Sequence, residues 1–596
     1  MIGTPGAPLC LALALVLPAG FVANLAGCSH AATTAPTRPS PPASDARSTL
    51  APTVLERLED PEEVGGAVLD LAKEYQTLRN DGEDLEPWLA QYLQPLTVVY
   101  TDQLRTLRPE VRRTLIQLLA GTAEPSTEPA LHAALVAFTE GGLAQAEVDL
   151  ESAARAQGRL RLPGLRSALF AAFQVLRAHT QGGQRAYQSV SRGLLAAPDP
   201  AWAPTLRELI AVQMPLAEED ASTYADQLFW QTVAAQLLGV LGDDSAVPNL
   251  LRVVLDPVKS EIGPTAVLAL VKLGPATVGP TSAILRGEDQ DSIRFHRAQM
   301  QRAAQRQSGA ETWKQRDDHV LLAAVVLGAT GHPSATRAFR DALLVASRPV
   351  DRAVLLRELA KLPPSEAGRT TFQNGFGRIG LEVRMPPGGV VALAELAAEA
   401  VPRFYDPSLV PWLLSRAENT FGDPVARSDF RRAVLATSIK LAQIDQLALI
   451  EPKILQWGTP LDNADPDDAS GPRLEQVMLQ EARGLLERCG SGPECYLQTI
   501  AEPRAQSSPT RFTPVRAAYQ LGILGDATTA VRLAEELPQI DSIAVRFAAV
   551  QAIDRLLPLG SAAVADKLEA AAHASDQGDP VREVAYRLRG RSRSAE

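Results

Sequence analysis

From about residue 55 to the C-terminus, apolar side chains recur three and four residues apart, the spacing of one face of an α-helix. Val545, Ala548, Ala549, Ala552, Ile553 and Leu556 show it most plainly, at i, i+3, i+4, i+7, i+8 and i+11. Such segments alternate with short breaks rich in Gly, Pro and Asp, which predicts many short helices joined by tight turns. One unit, Thr513-Pro514-Val515-Arg516-Ala517-Ala518-Tyr519-Gln520-Leu521-Gly522-Ile523-Leu524-Gly525-Asp526, carries signals for both ends of a helix. Thr513 is placed to cap orphan amides, Pro514 takes a first-turn position where no amide bond is lost, and Gly525 suits a left-handed C-cap. A second helix is predicted over about 528–537, and Asp579-Pro580-Val581-Arg582 opens another in the same way.

The unit recurs. Leu238-Gly239-Val240-Leu241-Gly242-Asp243 aligns with Leu521 to Asp526, Leu327-Gly328-Ala329-Thr330-Gly331-His332 is a weaker copy, and Pro349-Val350-Asp351-Arg352 is a further opening. The valines of the Val-Arg pairs, Val515, Val545 and Val581, stand 30 and 36 residues apart, and Gly242 and Gly274 stand 32 apart. This is the period of a solenoid of helix pairs. The pattern resembles HEAT repeats, especially the short variety also found in HEAT-like bilin lyases and bacterial scaffold proteins. The resemblance implies an all-α fold, an α-solenoid of helical hairpins. Copies are clear at 229–287 and 512–588, degenerate between 317 and 502, and reduced to helical periodicity in 55–215. We therefore divide the body into an N-terminal helical region at 55–215, interrupted HEAT-like repeats at 216–502, and C-terminal HEAT-like repeats at 503–596. In HEAT repeats the arginine of the Val-Arg pair braces neighbouring repeats through an acidic residue of the following loop, which assigns Arg516, Arg546 and Arg582, with Asp526, a structural role.

The N-terminus reads differently. Leu9 to Leu17 is an apolar run of signal-peptide length, too short to span a bilayer as a helix. Behind it, Leu25-Ala26-Gly27-Cys28 resembles the lipobox of bacterial lipoproteins. That resemblance implies cleavage of residues 1–27, acylation of Cys28 and attachment without a membrane span; more than one acyl chain gives stable anchoring, at roughly 0.8 kcal/mol per buried CH₂. Ser29 after the cysteine resembles the outer-membrane sorting signal of Gram-negative cells, with the body then in the periplasm. Residues 28–54 are rich in Ser, Thr, Ala and Pro and read as an extended tether, reaching up to roughly 70 Å at about 3.1 Å per residue.

Composition narrows the function. The 596 residues are 46% hydrophobic and carry 58 Lys and Arg against 69 Asp and Glu, a net charge of -11 that disfavours binding to phosphate backbones. Nucleic acid is not an expected partner. Of the four cysteines, the lipobox resemblance implies that Cys10 leaves with the signal and Cys28 is acylated; Cys489 and Cys495 remain and are expected to staple the bend of a helical hairpin after export, the alternative being a redox-active pair, which their C-x₅-C spacing disfavours. The seven histidines include no pair at i, i+4, and Asp462, Asp465, Asp467 and Asp468 do not follow the order of an EF-hand. Gly274 to Gly279 has the spacing of a phosphate loop, but Pro280 replaces its lysine. No metal, cofactor or catalytic motif is expected.

Stacked helix pairs present a long curved surface whose concave side is commonly lined by the second helix of each pair. Polar positions on those predicted helices are Asn249, Arg252, Arg337, Arg340, Asp341, Arg532, Glu535, Glu536 and Lys567. We single out Arg252, Arg337, Arg340, Arg532 and Glu535 as candidate contacts to a protein partner; an ordinary solvated helix face explains the same residues. The expectation is a membrane-tethered protein-interaction scaffold of the cell envelope. The alternatives are a passive structural envelope component and, by fold analogy alone, a lyase-type enzyme.

Overall fold

The computed structural model describes residues 54–304, 318–385, 389–459, 473–501, 512–572 and 580–593. The signal segment, the lipobox with Cys28, the tether and the aspartates at 462–468 lie outside the described residues. The body is all-α, a succession of helical hairpins, with one small antiparallel hairpin in which β1 (Glu382–Met385) pairs with β2 (Gly389–Ala392) and Val383 faces Val391. Two compact units divide after Leu241. The helix Ala221–Leu241, which the sequence reading grouped with the middle region, belongs to the first unit: it packs on Gln181–Ala196 and Ala203–Ala211, and the Trp230 indole donates to Phe173 O at 3.0 Å.

The repeat period is visible as a ladder of contacts. Glu451 pairs with Arg483 across 32 residues, Glu418 with Lys453 across 35, Glu535 with Lys567 across 32 and Glu494 with Arg532 across 38. In the first unit, where the sequence showed helical periodicity without a repeat, Arg105 pairs with Glu140 across 35 residues and Arg112 with Asp149 across 37. Both units therefore stack hairpins of similar length.

Helix starts follow the expected chemistry. Asp423 accepts from the amides of Val425 and Ala426 at 2.9 and 3.0 Å ahead of Pro424, and Asp526 accepts from Thr529 N at 2.9 Å. Helix ends follow it in part. Gly242 and Gly331 take the left-handed conformation at φ 68° and 60°. Gly525 does not, because Asp526 caps the next helix at once and leaves no room for a left-handed residue. What Gly525 supplies is the missing Cβ, which would press on Leu521 O and the Thr529 side chain. Thr513 also departs from its expected role: its amide and hydroxyl both donate to the Glu481 carboxylate, the hydroxyl at 2.7 Å.

Arg516 and Arg546 brace neighbouring hairpins, and the acceptors are carbonyls. Arg516, fully buried, donates to Ala442 O, and Arg546 donates to Leu537 O at 2.9 Å and Ala571 O at 3.1 Å. Asp526 is occupied with its own helix start, so it does not meet them. A guanidinium satisfies several helix-terminal carbonyls at once, which a single carboxylate on a short turn does not need to assist.

In the second unit the array closes on itself. The first helices of the hairpins are α1 (Gly263–Leu273), α2 (His319–Thr330), α3 (Pro349–Leu359), α4 (Leu393–Glu399), α5 (Pro424–Leu441), α6 (Phe512–Leu524), α7 (Ile543–Leu556) and α8 (Pro580–Ser592). Each packs on the next, α5 and α6 partly through the helix Leu474–Cys489, and α8 returns to α1 and α2. The seam is tight because two glycines meet there. A Cβ on Gly590 would run into Val271 O, and one on Gly274 into the carbonyl of Gly590.

Candidate functional site

The first helices thus face one another around the second unit, and the second helices pack outside them. Arg252, on Val247–Leu255, is exposed and lies over the Phe295 ring at 5.7 Å. Arg337 and Arg340, on Thr336–Val345, both lean toward Asp341, at 3.8 and 3.4 Å. Arg532 and Glu535, on Ala527–Glu536, belong to the inter-repeat ladder described above. These candidates sit on three separate helices, and the only ones that share a helix are Arg337 with Arg340 and Arg532 with Glu535. The cysteine pair is a disulfide: Cys489 ends the helix Leu474–Cys489, Cys495 lies in Pro493–Ala501, and their Cα atoms are 5.3 Å apart.

The densest chemistry lies where the first helices converge, at residues the sequence did not single out. Asp554 of α7 receives both Arg587 and Arg591 of α8, and the two arginines are 3% and 2% exposed. Arg587 also donates to Ala329 O at 2.9 Å and Arg591 to Gly331 O at 3.2 Å, tying α8 to the end of α2. Burial raises the pKa of the Asp554 carboxyl, the two guanidiniums lower it by more, and the net position is below the ordinary carboxylate value. Glu358 of α3, fully buried, takes Lys361 at 2.7 Å and Arg357 at 3.3 Å. Beside them Tyr405 stacks near Tyr519, with ring centroids 5.5 Å apart, and Lys440 lies 5.9 Å from the Tyr519 ring. Desolvation lowers the Lys440 pKa and pushes Tyr519 up to about 12.

A signal for this cluster existed in the sequence. Asp554 follows directly on Ile553 of the apolar face, and Arg587 and Arg591 stand at i, i+4 in a helix whose buried face includes Val581, Val584, Ala585 and Leu588. Charges interleaved with a core face require partners in the interior. Which partners they find depends on the return of α8, which no local pattern announces.

Exposed apolar side chains concentrate elsewhere. Phe421, Val425, Ile444, Leu449 and Leu455 are 83%, 70%, 51%, 48% and 61% exposed, all on three consecutive helices between Leu409 and Trp457 or the turns joining them. Among the described residues no three metal-binding side chains gather at one place, and no helix is long and apolar enough to cross a membrane.

No family model matches the chain, and no curated protein matches it. Among solved structures it is similar to a mutant of Kap121p at 11% identity, covering 91% of this chain and 77% of that one with a TM-score of 0.23. It is likewise similar to the karyopherin Kap121p bound to the SUMO protease Ulp1p, at 11% identity, 91% and 82% coverage and a TM-score of 0.22. A third is UNC-45 from Drosophila melanogaster, at 11% identity, 92% and 89% coverage and a TM-score of 0.19.

Proposed function

We propose that the protein is an interaction scaffold of the bacterial cell envelope, held at the membrane by acyl chains on Cys28 and binding a protein partner through its helical array. The observation that carries the binding half is the exposed apolar group at Phe421, Val425, Ile444, Leu449 and Leu455. Single exposed apolar residues need no explanation, whereas five within one short run of helices supply the desolvation energy that a protein partner would use. The lipobox carries the membrane half, and the periplasmic face of the outer membrane is the location it favours. The reading assigns the protein no catalysis and no cofactor.

The test is in-cell crosslinking of the lipidated protein from a photoreactive residue at position 421, compared with a Val425→Asp, Leu455→Asp variant of unchanged thermal stability. A discrete envelope protein should crosslink to the first and fall away with the second. A crosslink pattern identical in both would refute this surface. Cys28→Ala should separately abolish acyl labelling and release the protein from membranes; membrane retention without label would refute the anchor.

A further inference from the structure

The centre of the second unit is not electrically balanced. A small cavity of ≈ 20 Å³ opens between the turn after α3, the short helix Val401–Phe404 and the C-terminal part of α7, lined among others by Lys361, Arg403, Tyr405, Asp554 and Arg555. Two of these charges are already committed: Lys361 to Glu358, and Asp554 to Arg587 and Arg591. Arg403 and Arg555 make no ion pair with a described residue, and the nearby Asp406 is taken by Arg369. Burial of Arg555 lowers its pKa by more than the nearby Tyr405 and Asp406 raise it, so its desolvation is not fully compensated.

Two further observations converge on the same space. Tyr405 is 5% exposed, and among the described residues neither its hydroxyl nor the buried Nε of Arg555 has a hydrogen-bond partner. A buried hydroxyl left unpaired costs about 1–3 kcal/mol, so such groups in native proteins usually face a missing ligand or water. Tyr405 also holds a left-handed backbone, φ 48°, which is unusual for a bulky residue and itself costs about 1–2 kcal/mol. The turn is kept in place by the packing of its ring on Tyr519 and on the bare backbone of Gly522, where a Cβ would collide with the ring. Strain of this kind persists where the surroundings over-determine it, and it aims the phenol.

The volume decides what can fill the site. It admits about one water-sized group, which is too little for a nucleotide, a sugar or a metabolite of ordinary size. A neutral water would satisfy the hydroxyl but leave both guanidiniums uncompensated. We propose that the cavity is an anion site that takes one small negative charge, a halide ion or a single carboxylate group, between Arg403 and Arg555 with the Tyr405 hydroxyl donating to it. The carboxylate can arrive free or as the side chain of a polypeptide. The site is independent of the apolar surface at 421–455, and the failure of either leaves the other standing.

Chlorine NMR on the purified full chain tests this directly. Wild-type protein should broaden the chloride line, acetate should narrow it by competition, and Arg403→Gln with Arg555→Gln should remove the broadening. Tyr405→Phe keeps the ring packing and should weaken binding about tenfold, the loss of one hydrogen bond to a charged acceptor. If chloride gives no broadening but a fluorescent triglutamate peptide binds, and binding falls in Tyr405→Phe, the carboxylate is one delivered on a polypeptide. Absence of both signals in the wild type overturns the proposal. So does binding that Tyr405→Phe leaves unchanged, a comparison that remains available if the double variant does not fold.

Discussion

Among the described residues of the first unit, the Trp230 indole reaches back 57 residues to Phe173 O, and the pairs Arg105–Glu140 and Arg112–Asp149 join neighbouring hairpins. In the second unit Arg587 and Arg591 span 258 and 260 residues to α2, and Arg593 spans 351 to Gly242 O. The first arrangement is a stack whose stability is close to a sum of nearest-neighbour terms, so damage stays local. The second is a circuit: opening the α8 seam removes contacts at both ends of the unit at once. It should unfold as one body and fold more slowly, because its closing contacts come last and carry a high loop-closure cost. The same hairpin therefore gives additive or cooperative behaviour according to whether the last repeat meets the first.

The sharpest way to break this contrast is at the seam. Asp554→Asn leaves Arg587 and Arg591 buried without their carboxylate and should cost about 3–5 kcal/mol, the range for breaking a buried ion pair. Gly590→Ala should act in the same direction through the clash with Val271 O. Hydrogen exchange should then show protection lost across the whole of 242–593 while 54–241 keeps its own. Asp149→Asn, which breaks the buried pair with Arg112 in the first unit, should cost a similar amount, but lose protection only in the adjacent hairpins. Uniform loss in both cases would erase the distinction.

Acid offers a second lever. The folded pKa of Asp554 lies below its unfolded value, so its contribution is fully present above about pH 4 and is lost as pH falls through the folded value. The second unit should open in that window, and Asp554→Asn should flatten this part of the pH profile measured by circular dichroism. The third effect is smaller. Cys489→Ala with Cys495→Ala should lower stability by roughly 2 kcal/mol through the denatured chain, since the closed loop is short. The smallest belongs to the outer ladder: Lys567→Ala should change stability by about 0.2–1 kcal/mol and vanish in high salt, as expected for an exposed pair. A larger loss there would mean that the second helices help hold the circuit.

Helix positions were legible in the sequence because they depend on local chemistry. The apolar spacing of Val545 to Leu556 gives the helix Ile543–Leu556, and Pro349 and Pro580 open helices where the openings were expected. The Cys489–Cys495 bend was legible for the same reason, as two residues either side of a Gly-Ser-Gly-Pro turn have few other places to go. The repeat in 54–241 was not, because its recurring element is an ion-pair ladder with variable residue types and not a fixed motif.

The candidate binding residues mark the limit of that approach. Arg532 and Glu535 look like any solvated polar face in the sequence, and only the stacking shows that they spend their charges on Glu494 and Lys567. Tyr405 and Arg403 lie about 150 residues from Arg555 and come together with it only because α7 packs beside the short helix Val401–Phe404. Periodicity, caps and spacing determined that this chain builds helical hairpins and roughly where each begins, since those depend on interactions within a turn or two of helix. Closure of the second unit, the burial of its central charges and the site they frame depend on how α8 meets α1 and α2. That meeting is a sum of small rotations over many repeats, and it is decided only when the two glycines at the seam allow the backbones to touch.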